Sequence, residues 1–166
     1  MFENCTVTGR NFENNFVIAG SIEGISRAGD MLGELGLTTQ VVPVKYGFHT
    51  DMLDRHHYEF QQLTQEIDLK EPRIKLFSSM SRSFTENINT EHLWDVVRKP
   101  VYFSNTVNEI AQHCDPIFID VGPSGTLATF IKYILSPGSK SIHLECMNPF
   151  GKNIQTMDNL MQSVTA

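Results

Sequence analysis

The spacing of apolar residues changes repeatedly along this chain, and each change marks an expected element. Phe16-Val17-Ile18-Ala19 is a compact apolar run and predicts a strand over Asn15 to Gly20. From Ser21 the spacing becomes helical, through Ile22, Ile25, Met31, Leu32 and Leu35. A helix capped by Ser21 is expected there, closed by Gly36 at its C′ position. Thr38 to Val44 is rich in β-branched residues and predicts the next strand. Past the turn Tyr46-Gly47-Phe48-His49, Thr50 or Asp51 caps an expected helix to about Gln65. Pro72 breaks the chain, Ile74 to Ser78 predicts a strand, and the polar segment Ser79 to Asn89 predicts a loop. A helix is expected from Thr90 through Leu93, Trp94 and Val97, ended by Pro100. Ser104 caps another to about His113, with Val107, Ile110 and Ala111 inward. Ile117 to Val121 is apolar except for Asp120, the mark of a buried parallel strand. Gly122-Pro123-Ser124-Gly125 turns it into a helix over Thr126 to Leu135, stopped by Pro137 and Gly138. Ser141 to Cys146 predicts a last strand and Asn153 to Val164 a last helix, while Met1 to Asn14 is mixed and gives no clear period.

Strands alternating with helices make the expected class α/β. At 166 residues and 40% hydrophobic, the chain can bury one modest core or two small ones. A formal net charge of −6 argues against a nucleic-acid partner, because phosphate binding wants a basic face. No apolar run has the length of a membrane span and no signal peptide is visible, so a cytoplasmic protein without a membrane partner is expected. Cys5, Cys114 and Cys146 are odd in number and lack metal-like spacing, and read as reduced thiols. His56 and His57 diverge in direction on a helix, so one metal would not see both. No metal site is expected, and His92, His113 and His143 stand isolated.

His49 is the sharpest candidate for chemistry. It follows an expected strand in a Gly-containing turn, where the loops of an open α/β sheet carry active sites. A neutral imidazole there can take a proton from a hydroxyl and return it to a leaving group. By position alone, a histidine at a strand end is more often only a turn residue. Ser124 lies between a strand and a helix, as a nucleophile elbow would, but GxSxG needs glycine where Thr126 stands. A helix N-cap is its other reading. Asp120 reads either as the acid of a triad or as a hydrogen-bonding group within the turn.

Two segments together carry a family resemblance: Val41-Val42-Pro43-Val44-Lys45-Tyr46-Gly47-Phe48-His49, and Ile117-Phe118-Ile119-Asp120-Val121-Gly122-Pro123-Ser124-Gly125-Thr126-Leu127. With Pro100-Val101-Tyr102-Phe103 between them, they resemble the C-terminal part of a malonyl-CoA:acyl carrier protein transacylase-like acyltransferase domain, of the polyketide synthase or trans-acting acyl hydrolase type. The resemblance spans about residues 12 to 136. It implies a partial ferredoxin-like subdomain over 1–45 and the C-terminal part of the hydrolase-like core over 46–166. It makes His49 the general base and the backbone carbonyl of Val96 its orienting group. Tyr46 and Phe48 flank the acyl pocket, where phenylalanine would disfavour an α-branched acyl group. No GHSxG serine segment is present in this sequence.

The resemblance therefore implies an acyltransferase of polyketide or fatty-acid biosynthesis, moving malonyl or another acyl group to acyl carrier protein. The chain is its base-bearing part, expected to be inactive alone. No covalent cofactor is implied; the substrate itself carries coenzyme A or phosphopantetheine. The implied partners are acyl-CoA, acyl carrier protein, and a missing N-terminal half or another chain. The alternatives are a non-catalytic carrier-protein-binding or half-enzyme docking module, and an acyl-carrier-protein acyl hydrolase. A self-contained hydrolase using Ser124 ranks last.

Overall fold

The computed structural model describes residues 2–165 and is mixed α/β, as the alternating pattern predicts. Its contacts form two compact units. One contains the residues up to Arg10 and Phe16–Tyr102; the other contains Asn11–Asn15 and the residues from Phe103 onward. The elements are β1 (Cys5–Phe12), β2 (Asn15–Gly20), α1 (Ile22–Glu34), a 3₁₀ segment (Asp51–His56), α2 (His57–Thr64), β3 (Leu76–Ser78), β4 (Ser83–Thr85), α3 (Thr90–Arg98), α4 (Phe103–His113), β5 (Ile117–Asp120), α5 (Thr126–Ile134), β6 (Ile142–Glu145) and α6 (Asn153–Thr165). The strands form three two-stranded sheets, β1-β2, β3-β4 and β5-β6.

In the first unit, α1 has the caps its sequence predicts. The Ser21 hydroxyl accepts the Gly24 N–H at 3.0 Å. At the other end Gly36 takes φ +74°, the Gly36 N–H donates to the Gly33 carbonyl, and the Leu37 N–H donates to that of Leu32, both at 2.9 Å. This is a Schellman closure, and it needs the left-handed backbone that glycine adopts without strain. The buried stripe is Gly24, Ala28 and Leu32; Ile22 and Leu35, the ends of the apolar series, are exposed. Trp94 of α3 is the aromatic centre of this unit, stacked on His57 at 4.6 Å and tilted against Phe60 at 5.3 Å.

Three local expectations are corrected in this unit. Thr38 to Val44 is not a strand: no sheet among the described residues includes it, and Val41, Val42 and Val44 are exposed. β-Branched residues favour a strand only where an edge and a face await them. Ser79 to Asn89 is not all loop, because β4 returns to pair antiparallel with β3. The sequence signal was Phe84, which faces Phe77 across the pair with ring centroids 5.0 Å apart. The helix expected from Thr50 begins instead as a 3₁₀ segment, with the Thr50 hydroxyl accepting the Met52 N–H. β1, whose region gave no clear period, is tied to the segment after Pro100. The Val101 N–H donates to the Thr8 carbonyl at 2.8 Å, and the Arg10 N–H donates to the Val101 carbonyl at 3.1 Å.

In the second unit, β5 and β6 pair in parallel, with Ile117 opposite Ile142 and Asp120 opposite Glu145. α5 packs on both strands and α4 packs on α5, with Val107, Ala128 and Ile131 buried. Ser104 lies inside α4, which starts one residue earlier. The expectation that β5 is buried on both faces is corrected. Phe118 and Asp120 alternate with Ile117, Ile119 and Val121, which are 42%, 43% and 75% exposed.

Asp120 holds the start of α5. Its carboxylate accepts the N–H groups of Gly122 (2.8 Å), Leu127 (2.8 Å) and Ala128 (3.1 Å). The last two are the second and third residues of the helix, whose donors have no intrahelical partner. The N-cap position itself is Gly125 at φ +61°, which has no side chain to offer. Ser124 is thus not the cap: its hydroxyl bonds to that of Thr126 at 2.7 Å. Between the two readings of Asp120, the turn-bonding one is what the structure shows. Asp120→Ala, by leaving one buried and two part-buried amides without their acceptor, is expected to cost about 2 kcal/mol of stability. Urea unfolding of the two proteins measures the difference; equal midpoints would refute it.

Candidate active site

His49 is half-buried and has left-handed backbone, φ +63°. A non-glycine residue there is uncommon and is held by its surroundings. The hold is visible on both sides of the residue. Its N–H donates to the Val97 carbonyl at 2.9 Å, and the Phe48 N–H donates to the Tyr46 carbonyl at 2.9 Å. The next residue, Thr50, is buried and donates its hydroxyl to the Gly47 carbonyl at 2.7 Å.

The imidazole is oriented as firmly as the backbone. Its Nδ1 lies 2.9 Å from the Lys99 carbonyl oxygen. A carbonyl can only accept, so Nδ1 carries the proton and Nε2 presents a lone pair. Among the described residues Nε2 has no hydrogen-bond partner. A ring fixed in this tautomer, with an unoccupied basic nitrogen, is what a general base requires.

The carbonyl that meets His49 belongs to Lys99, which corrects the expectation that Val96 supplies it. Val96 lies inside α3, where carbonyls align with the helix axis. Lys99 is the C-cap, at φ −90° and ψ 152°. Its extended backbone follows from Pro100, whose ring disfavours helical geometry in the residue before it. The Lys99 carbonyl thus leaves the direction of the helix axis. The Lys99-Pro100 pair was the signal in the sequence that could have located this group.

Tyr46 and Phe48, the expected pocket residues, lie beside each other with ring centroids 6.2 Å apart, edge to face. Phe48 is 41% exposed, so it is not a core aromatic. The two rings form an open apolar wall on the turn that carries His49. Three of the other histidines have separate partners: His56 pairs with Glu59 at 3.7 Å, His57 with Glu91 at 3.2 Å, and His113 with Glu109 at 3.3 Å.

Arg98, the last residue of α3, ties that helix to the 3₁₀ segment that follows the turn. Its guanidinium binds both carboxylate oxygens of Asp54 in the 3₁₀ segment, with Nη2 at 3.0 Å from Oδ2. The hydrogen bond from Arg98 holds the Asp54 carboxyl below its usual range, and Asp54 in turn raises Arg98. A depressed folded pKa stabilises above the unfolded value of about 3.9 and loses that effect as pH falls through the folded value. Asp54→Asn is expected to lower the melting temperature at pH 6. The gap to wild type should narrow as the pH falls below about 4. Melting curves at pH 6 and pH 3 test this; a gap that widens in acid would contradict the pairing.

No family model matches this chain. It is 32% identical over 154 residues to the polyketide biosynthesis acyltransferase homolog BaeD of Bacillus velezensis, covering 93% of this chain and 48% of that protein. It is 27% identical over 160 residues to the homolog PksD of Bacillus subtilis, covering 96% and 49%. The chain thus spans about half the length of the curated relatives it matches. Among solved structures, the acyltransferase domain from module 8 of the salinomycin polyketide synthase superposes with a TM-score of 0.87 at 14% identity, over 98% of this chain and 40% of that one. The malonyl CoA-acyl carrier protein transacylase of Clostridium perfringens gives 0.77 at 20% identity, over 99% and 51%. Sequence and fold together identify the chain as a C-terminal part of a polyketide-type acyltransferase domain, with the fold that malonyl CoA-acyl carrier protein transacylases share.

Proposed function

We propose that this chain supplies the general base of a serine acyltransferase that loads acyl carrier protein in polyketide or fatty-acid synthesis. The observation that carries the reading is His49 held by the Lys99 carbonyl with Nε2 open. This sequence contains no GHSxG segment, so the nucleophilic serine in this reading comes from the N-terminal half of the domain. His49 Nε2 takes the serine proton as the hydroxyl attacks the thioester carbonyl of an acyl-CoA. The tetrahedral intermediate expels the coenzyme A thiol, with the proton returned from His49, and leaves an acyl-serine. The phosphopantetheine thiol of the carrier protein then attacks, giving its proton to His49; the acyl–serine C–O bond breaks, His49 returns the proton to the serine oxygen, and the acyl group leaves as the new thioester. Water in place of that thiol would make the same site a hydrolase. Tyr46 and Phe48 would lie along the acyl group.

The division into a partial ferredoxin-like part over 1–45 and a hydrolase-like part over 46–166 belongs to this same proposal. So does a cytoplasmic location; no helix among the described residues is long and apolar enough to cross a membrane.

Intact mass after incubation with malonyl-CoA and acetyl-CoA tests the reading. The chain alone is expected to gain no acyl mass, and an adduct mapped to one of its own serines would overturn the proposal. Combined with the N-terminal half of the Bacillus velezensis homolog, it is expected to support acylation of that half and transfer to carrier protein. In that assembly His49→Ala should lower transfer by at least about 100-fold, the scale of a lost general base. Val96→Ala and Lys99→Ala should leave it within a few-fold, since only a main-chain oxygen of Lys99 is used. Loss of activity in Lys99→Ala equal to that in His49→Ala would count against the assigned geometry.

A further inference from the structure

We infer that Thr50, the residue after His49, is a positioning residue for the base: its buried hydroxyl locks the turn from which the imidazole reaches the Lys99 carbonyl. The catalytic consequence rests on the acyltransferase reading above; the positioning itself rests on the geometry of the turn.

The backbone at residue 49 decides where the ring lies. His49 takes the left-handed φ of +63°, a conformation that persists in a non-glycine residue only where its surroundings hold it. Thr50 follows in extended backbone, φ −133° and ψ 168°, and is 3% exposed. Its hydroxyl donates to the Gly47 carbonyl at 2.7 Å and accepts the Met52 N–H at 3.2 Å. The first bond closes a loop that contains only Phe48 and His49 between its ends. The second satisfies an amide at the start of the 3₁₀ segment, where helical donors have no partner of their own. One hydroxyl thus fixes the chain on both sides of His49. Burying a hydroxyl is costly unless it is bonded, and this one serves as donor and acceptor at once.

Two neighbours show how closely the turn is fitted. A Cβ on Gly47 would lie 3.1 Å from Thr50 Oγ1 and 2.8 Å from Met52 Sδ, so glycine there leaves the room that the hydroxyl uses. On the other side, Pro100 sets the Lys99 carbonyl, and the ring must be brought to it. Nδ1 lies 2.9 Å from that oxygen, and such a bond weakens within a few tenths of an ångström of lengthening. Thr50 makes no hydrogen bond to the ring among the described residues. It acts through the backbone of His49, and so is not itself a catalytic residue.

Nitrogen NMR of the free chain with labelled histidine tests this, with His49→Ala assigning the signal. At alkaline pH, where imidazole is neutral, wild type should show His49 mainly as the Nδ1–H tautomer. Free histidine prefers Nε2–H. In Thr50→Val, close in shape but without the hydroxyl, the ratio of Nδ1–H to Nε2–H should fall at least about fivefold, the scale of one hydrogen bond. Thr50→Ser should restore it. Thr64→Val is the control: Thr64 is also buried in this unit, and its hydroxyl donates to the Phe60 carbonyl at 2.8 Å, outside the turn. That change should leave the His49 tautomer as in wild type. Thr50→Ala is the second variant, and circular dichroism checks the folding of each. An unchanged tautomer in Thr50→Val and Thr50→Ala overturns the proposal, as does an equal shift in Thr64→Val. Unfolding of both Thr50 variants while Thr64→Val stays folded would overturn it too, assigning the hydroxyl to stability alone. In the assembly with the N-terminal half of the Bacillus velezensis homolog, Thr50→Val should lower kcat for transfer about 10- to 100-fold with KM for acyl-CoA little changed. An assembly whose wild type transfers no acyl group would remove the catalytic reading and leave the tautomer result standing.

Discussion

A proline cannot continue a helix, and Pro100 fixes where α3 ends. The arrangement around His49 depends on that single constraint. Because Pro100 follows, Lys99 is extended, and its carbonyl turns away from the helix axis and meets Nδ1 of His49. The last turn of the same helix receives the His49 N–H on Val97 and holds Asp54 through Arg98. Immediately past the proline, Val101 joins β1 through two main-chain hydrogen bonds. One residue thus ends a helix, frees an acceptor and anchors the chain that follows. The left-handed backbone of His49 costs on the order of 1–3 kcal/mol, and this set of bonds offsets it.

The second unit has a comparable dependence on one carboxylate. Asp120 sits at the end of β5, where the chain must turn and begin α5. Gly125 provides the left-handed turn and no capping atom, so the capping oxygen comes from five residues earlier. A Cβ there would also meet the side chain of Glu145 on β6, whose carboxylate end would have to move aside. Turn, cap and the parallel neighbour therefore constrain one another. The chemistry of Asp120 is consumed by this structural task, which separates it from any catalytic triad.

Both units are more open than their sequences imply. Apolar residues at Val41, Val42, Ile117, Ile119 and Val121 are written as strand or core residues but remain accessible. An apolar residue contributes to folding only when something removes it from water, at about 25 cal/mol per Å² covered. These positions have that contribution in reserve. One unit presents an oriented imidazole and the other an uncovered parallel strand.

Much was legible before the structure. The helices α1, α3, α5 and α6 could be placed from apolar period, capping residues and breakers, because those signals are local and act within a few residues. The motif around His49 was legible for the same reason. What the sequence could not state was which partner each group would find. Thr38 to Val44 has strand composition, yet pairing needs a neighbour that local composition does not supply. β4 was hidden because its one strong signal, Phe84, has meaning only opposite Phe77. The orienting carbonyl was assigned to Val96 by alignment of motifs, but the direction of a carbonyl is set by backbone dihedrals, and those placed Lys99 against the ring. By itself the sequence determined the α/β order of the elements and singled out His49 as the candidate for chemistry. Tertiary structure alone decided which main-chain oxygen orients His49, which helix Asp120 caps and which strand face is left open, because each depends on contact between residues far apart in the chain.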